Sequence, residues 1–262
     1  MTSPAEALTL LRAESPLVQC ITNFVAMNLA ANTLLAAGAA PAMVHAVEES
    51  EAFAGMADAA TINIGTLSSD WIDGMYGAAR GAQAAGRPWV LDPVAHFISP
   101  FRSHVTQALM GLKPDIIRGN ASEILALAGR DNTGRGVNAG DAVAIAEDSA
   151  HSLAQTSGAV IAVTGTVDFV TDGTRAARIS GGSDLMPKIT AMGCSLTCLI
   201  GAFAAVSDNP FDATVAALAM FAAAGEAAAD LADGPGSFAW MFLDALAAVE
   251  PEFIAEGRVH LL

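Results

Sequence analysis

Positive charge is scarce in this chain. Its 262 residues carry 12 Lys and Arg against 27 Asp and Glu, a formal net charge of −15 at pH 7. That balance argues against a nucleic-acid backbone or an anionic membrane surface as a partner. An anionic ligand must instead be held by local positive groups: a metal, helix N-termini and a few well-placed arginines. Cysteine is scarcer still. Cys20, Cys194 and Cys198 form no CxxC, and the segment holding Cys194 and Cys198 has no histidine. A disulfide framework and a structural zinc site are both set aside, and a reducing cytoplasm is the expected compartment. Long apolar runs are lacking too. The longest charge-free apolar helix candidate, Ala213 to Gly225, stops at Glu226, short of the ~18 residues of a membrane span. Glu6 and Arg12 interrupt the first apolar run, so no signal-peptide core forms and a soluble protein is expected. Aromatics make up 6% and charged residues 15%, whereas 53% is hydrophobic, led by alanine and glycine. Closely packed helices fit this composition; a disordered chain does not.

Short apolar runs alternate with helical patterns along the chain. Ser3-Pro4-Ala5-Glu6 reads as a capping box with proline at the first helical position. Leu17 to Thr22 is a buried strand, and Val25 to Ala37 a helix ended by Gly38. Pro41 to Val44, Ala60 to Gly65 and Pro88 to Asp92 are further strands, with a helix over Asp70 to Ala85. Asp115 to Arg118 and Ala159 to Thr164 continue the series, and Asp172-Gly173 marks a hairpin on one edge. From Cys194 onward nearly everything is helical. Apolar strands separated by helices predict an α/β protein with a mostly parallel central sheet and helices on both faces. No linker or fixed-period repeat divides it, so residues 1–262 are expected to form a single domain.

In open parallel sheets ligands bind at the carboxyl ends of strands. Here polar or glycine residues stop the apolar runs at Thr22-Asn23, Met43 to His45, Asn63-Gly65-Thr66, Asp92-Pro93, Arg118-Gly119-Asn120 and Thr164-Gly165. Asp92 reads as a turn or cap residue, or as a Mg²⁺ ligand together with Glu123. Asn120 and Glu123 also imitate a capping box, and a cap is compatible with a metal ligand. Arg118 at a strand end favours an anion contact, and the hydroxyl and amide of Thr164-Gly165 can bind phosphate or simply form a turn. In TAMGC, small backbone at Ala191, Met192 and Gly193 precedes a helix expected to start near Cys194. Unpaired N–H groups and the helix dipole make that end an anion site without a charged side chain. Cys194 is either a small packing residue or a thiol with chemistry.

Together, QCITNFVAMNLAANTLLAAGAAPAMVHAVEE, INIGTL, VLDPV, KPDIIRGNASEI, VTGTVDFVTDG, ITAMGCSLT and DGPGSF resemble the hydroxyethylthiazole kinases, thiamine-salvage enzymes of the ribokinase-like superfamily. The matches run in order from about Leu17 to Phe238. The resemblance implies a ribokinase-like fold and ATP-dependent phosphorylation of the thiazole's hydroxyethyl group with Mg²⁺. It implies that Arg118 and Thr164 contact ATP and that Asp92 and Glu123 organise the metal. Asn23, Met43, Gly65, Ala191 and Cys194 would line the thiazole pocket, Gly193 and its neighbours would form the anion hole, and the assembly would be a homotrimer with sites between subunits. Cys194 stands where sugar kinases carry an aspartate base. Two departures stand out. Where the family usually has a small glycine-rich loop after VLDPV, this chain has Ala95-His96-Phe97-Ile98-Ser99, and many members have glycine in place of Ala191. Two other readings remain at this point: an ATP- or ADP-dependent dehydratase of a damaged nicotinamide cofactor on the same fold, and a non-catalytic thiazole- or nucleotide-binding protein.

Overall fold

The computed structural model describes residues 2–130, 139–254 and 257–262. The chain opens with α1 (Pro4–Glu14), β1 (Leu17–Ile21), α2 (Met27–Ala37), β2 (Ala40–Ala42), α3 (Ser50–Met56), β3 (Ala59–Asn63), α4 (Ser69–Ala84) and β4 (Trp89–Asp92). It continues through α5 (Pro100–Gly111), β5 (Ile116–Asn120), α6 (Ala121–Leu127), α7 (Ala139–Ser157), β6 (Val160–Thr164), β7 (Asp168–Thr171) and β8 (Ala176–Ile179). It closes with α8 (Met192–Ala205), α9 (Pro210–Leu231), α10 (Pro235–Ala248) and β9 (Val259–Leu261).

The local signals have plain physical causes. Ser3 accepts the Glu6 N–H while the Glu6 carboxylate returns to the Ser3 N–H, so the expected capping box starts α1 with Pro4 at its first position. Gly38, at φ 107°, ends α2 and donates to the Leu34 and Leu35 carbonyls. Ser99 and Asn209 cap α5 and α9, each followed by proline.

The nine strands among the described residues join one sheet in the order β2-β1-β3-β4-β5-β6-β7-β8-β9. Pairings from β2 through β6 are parallel and the last three are antiparallel. The mostly parallel sheet is therefore as expected. Successive strand residues feed opposite cores: Val90, Ile116, Ala162 and Val170 pack with α1, α2, α8, α9 and α10. Their neighbours Leu91, Ile117, Ile161 and Phe169 pack with α4, α5, α6 and α7. A strand buried on both faces has no polar side, which is why these runs read as continuously apolar.

Two differences from expectation are local. The β7–β8 hairpin turns through Asp172 to Arg175, where the Asp172 Oδ1 accepts the Thr174 and Arg175 N–H groups. It is not the edge, because β9 pairs outside β8; a three-residue strand following a helical region carries no sequence signal of its own. The helix expected from Ala213 to Gly225 runs from Pro210 to Leu231, and by length and composition it could cross a membrane. Its apolar window is 72% buried inside the fold, so its composition reflects a core position.

Candidate functional site

The strand order reverses between β1 and β3: β2 lies on one side of β1, and the chain then advances the other way from β3. Such a switch point opens a crevice at the carboxyl ends of the two strands. Asn23 sits just past β1, and Asn63, Ile64 and Gly65 at the end of β3. Asp92 ends β4, Arg118 to Asn120 close β5, and Thr164 ends β6.

A chain of side-chain hydrogen bonds runs across these ends. The Asn23 Nδ2 donates to the Asn63 Oδ1 at 2.9 Å and to the Cys194 Sγ at 3.3 Å. The Asn63 Nδ2 donates to the Asp92 Oδ2 at 2.7 Å, and the Thr197 hydroxyl donates to the same oxygen at 2.8 Å. The Arg118 Nη1 stands 3.7 Å from it, and the Arg118 Nη2 donates to the Thr164 Oγ1 at 2.5 Å. Asn23, Cys194, Asp92, Arg118 and Thr164 are thus brought into one network. Burial pushes the Asp92 carboxyl up to about 6, with Glu123's negative charge adding to the rise and the Arg118 guanidinium pulling it back. Burial, reinforced by Asp92, likewise pushes the Cys194 thiol up to about 11, against the Asn23 hydrogen bond. The thiol is therefore neutral at ordinary pH.

Polar atoms are left over in this network. The Asp92 Oδ1 and the Arg118 Nε are buried without a hydrogen-bond partner, as is the Oγ1 of Thr22 beside Asn23. An unsatisfied buried polar atom costs about 1–3 kcal/mol, and a cluster of them at strand ends calls for a ligand.

Glu123 is engaged differently. Asn120 caps α6 by accepting the Glu123 N–H, and the Glu123 Oε2 accepts the Asn120 N–H at 2.8 Å, a full capping box. The other oxygen, Oε1, accepts the Ala95 N–H at 2.9 Å. The loop after β4 therefore folds against Glu123. His96 is buried with its Nε2 3.0 Å from the Glu123 carbonyl, while Phe97 and Ile98 face solvent.

The start of α8 lies one residue or two earlier than expected: Met192 begins it and Gly193 falls in its first turn. Ala191 is the N-cap at φ 66° and no side chain caps the helix, so its first N–H groups are uncovered by the chain's own caps. The left-handed backbone at Ala191 costs about 1–2 kcal/mol that a glycine would not incur. Gly193 is needed for close approach: a Cβ on it would lie 2.6 Å from the Arg118 Nη1 and 2.7 Å from Nη2. Gly65 is likewise flush against Asn23, whose Nδ2 would be 2.6 Å from a Gly65 Cβ. Met43 follows β2, half-buried against the core cluster that includes Met192 and Leu196; no side-chain hydrogen bond joins it to the network.

Asn63, Thr197 and Asp168 belong to this arrangement but were not singled out as site residues from sequence. Asn63 was visible as the polar end of ATIN. Thr197 sits four residues after Gly193, whose carbonyl it also meets, so helical spacing was the available signal. Asp168 accepts the Gly165 N–H at 2.9 Å, and burial pushes it up to about 6 with Gly165 and Arg118 opposing.

Among the described residues no group of three or more His, Cys, Asp or Glu side chains is placed to hold a metal. Mg²⁺ keeps several waters and takes one or two carboxylates plus substrate phosphates. The free Oδ1 of buried Asp92 fits that sparse requirement; in Glu123 each oxygen has a lone pair left beyond its N–H partner.

A family model described as the hydroxyethylthiazole kinase family matches residues 8–252. The chain is 64% identical over 260 residues to the hydroxyethylthiazole kinase of Rhizobium leguminosarum bv. trifolii (strain WSM2304), covering 98% of this chain and 97% of that one. Its structure is similar to that of the hydroxyethylthiazole kinase protein from Pyrococcus horikoshii OT3, with a TM-score of 0.91 and 39% identity over 99% and 98% of the two chains. The Staphylococcus aureus pyridoxal kinase solved with AMP-PCP and pyridoxal shares the fold alone, at a TM-score of 0.60 and 16% identity over 80% and 87% of the two chains. Strand ends that converge on one polar network, in a fold shared with a known kinase and a sequence matched from residue 8 to 252, lead to one statement: the chain belongs to the hydroxyethylthiazole kinase family.

Proposed function

We propose that the chain transfers the γ-phosphoryl group of ATP to the hydroxyl of hydroxyethylthiazole, in thiamine salvage. The observation that carries this reading is the cluster of buried, unpartnered polar atoms on Asp92, Arg118 and Thr22 at the switch point of the sheet. Neither the dehydratase nor the non-catalytic reading is favoured, since family membership spans nearly the whole chain.

Phosphoryl transfer through a loose transition state needs positioning and charge neutralisation more than a strong base. Arg118 and Thr164 would hold the ATP phosphates, and the N–H groups opening α8 around Gly193 would receive the charge on the transferred group. Asn23, Met43, Gly65, Ala191 and Cys194 would line the thiazole side. Asp92, with Glu123 behind it, would hold Mg²⁺, which supplies charge neutralisation of the phosphates when bound. We also read the protein as cytoplasmic, consistent with three free cysteines, and as a homotrimer with shared sites. The exposure of Phe24 (70%) and Val25 (58%) immediately beside Asn23 supports a neighbouring subunit there.

A coupled assay of ATP consumption tests the activity. Turnover is expected only when ATP, hydroxyethylthiazole and Mg²⁺ are all present; ATP turnover indifferent to the thiazole would sink the reading.

In this scheme Cys194 is a neutral pocket wall whose thiol orients the substrate hydroxyl, and the hydroxyl proton leaves late. Cys194→Ala is expected to lower kcat by less than about 10-fold, where an obligatory general base contributes ~10²–10⁴-fold. Between pH 7 and 10 the wild-type rate should show no thiol ionisation, because the thiol titrates near 11. Abolished turnover in the alanine variant, together with a wild-type rate rising through a thiol pKa below 10, would make Cys194 the base.

A further inference from the structure

Arg102 lies on the first turn of α5 and is only partly exposed. Its guanidinium enters no ion pair among the described residues, although acidic residues outnumber basic ones 27 to 12 in this chain. Instead its two terminal nitrogens donate to consecutive backbone carbonyls: Nη1 to Ile64 at 2.5 Å and Nη2 to Gly65 at 2.6 Å. A planar fork of parallel donors suits two adjacent acceptors, and a point-like ammonium does not.

The held segment leads straight to the thiazole side of the site. Gly65 returns its own N–H to the Asn63 Oδ1 at 2.9 Å, the oxygen that also accepts the Asn23 Nδ2. Gly65 lies flush against the Asn23 side chain, and Asn23 in turn donates to Cys194. Displacing the Ile64–Gly65 backbone therefore removes the surface against which Asn23 lies and the Gly65 N–H that shares the Asn63 oxygen with it. On its other side, Arg102 is tied to the loop after β4. Ser99 caps its helix by accepting the Arg102 N–H, and the Ser103 hydroxyl donates to the His96 carbonyl at 3.0 Å.

We infer that Arg102 is a positioning residue for thiazole binding: it fixes the Ile64–Gly65 wall against Asn23 without touching either substrate. This rests on the strand-end crevice being the thiazole pocket. Hydrogen bonds from a charged donor to a site that must be held in place are each worth roughly tenfold in affinity.

The test compares steady-state kinetics of wild type, Arg102→Met and Arg102→Lys with hydroxyethylthiazole and Mg²⁺-ATP varied in turn. The expected result for Arg102→Met is a rise of about 10- to 100-fold in the thiazole KM, with the ATP KM and kcat within about threefold of wild type. Arg102→Lys, which keeps the charge but not the fork, should fall between the two. A thiazole KM unchanged in the methionine variant overturns the inference, and so does a parallel loss in both KM values and kcat, which marks general damage to the fold. If the methionine variant does not fold, a lysine variant with the wild-type thiazole KM overturns it equally. Wild type that shows no thiazole-dependent turnover at all points to failure of the functional reading rather than of the Arg102 role.

Discussion

Asp92→Asn is expected to lower kcat by about 10²- to 10³-fold while leaving thiazole binding, measured by calorimetry, within a few-fold of wild type. The carboxylate is fully buried at the meeting point of Asn63, Thr197 and Arg118, and one of its oxygens is unpartnered. Asparagine keeps the shape and an acceptor for the Thr197 hydroxyl. It removes the charge that balances Arg118 and that a cation beside the phosphates requires, and electrostatic groups of this kind typically contribute ~10²–10³-fold each. The pH dependence gives a second check. In the proposed role the ionised carboxylate is the competent form, so kcat/KM for Mg²⁺-ATP in wild type should fall as pH drops through about 6, where burial places the Asp92 carboxyl. That limb should be missing from the residual activity of the variant. A variant within tenfold of wild type, or one that keeps the acidic limb, would remove Asp92 from the chemistry.

Gly193→Ala is the second large effect, and it separates stability from function. Inside a helix, alanine is favoured over glycine by about 1 kcal/mol, so the thermal midpoint should hold or rise. The new Cβ would nevertheless lie 2.6 Å from the Arg118 guanidinium. The far end of a flexible side chain can move aside, but in moving it leaves Thr164 and Asp92. Loss of the proposed Arg118–phosphate contact and partial blocking of the helix end together should raise the ATP KM by about 10²-fold, with thiazole affinity changed far less. Thermal melting beside kinetics decides: an unstable variant, or a stable one with an unaltered ATP KM, is contrary to the geometry.

Sequence made visible those parts of the structure that local chemistry determines. Asn120 and Glu123 form the expected box because both partners sit within one turn. The strand ends at Asn23, Asp92, Arg118 and Thr164 were readable because polar residues halt runs buried on both faces. What remained hidden depends on register between distant elements. Asn63 meets Asp92 only because β3 and β4 pair in parallel with those two residues opposite each other. Thr197 reaches Asp92 across 105 positions of sequence, and Arg102 finds the Gly65 carbonyl from another helix. Glu123's second bond was concealed for a different reason: its partner is the N–H of Ala95, and a backbone donor carries no side-chain signature. The strand ends that carry Asn23, Asp92, Arg118 and Thr164 were thus legible, whereas the bonds that align those residues were not, and Met43 stands outside the network.

The placement of β9 has a consequence for the order in which the molecule is made. Val259 pairs with Ile179 and Leu261 with Ala177, so the outer edge of β8 stays open until residues 259–261 have left the ribosome. By then β1 through β8 and the helices packed on them have all emerged. An unpaired strand edge is a template for other chains, and pairing across so long a separation is slow. During synthesis the outer edge of β8 therefore stays unpaired until residues 259–261 arrive and pass the edge to the shorter β9, and a nascent chain stalled before Val259 leaves that longer edge open to its neighbours.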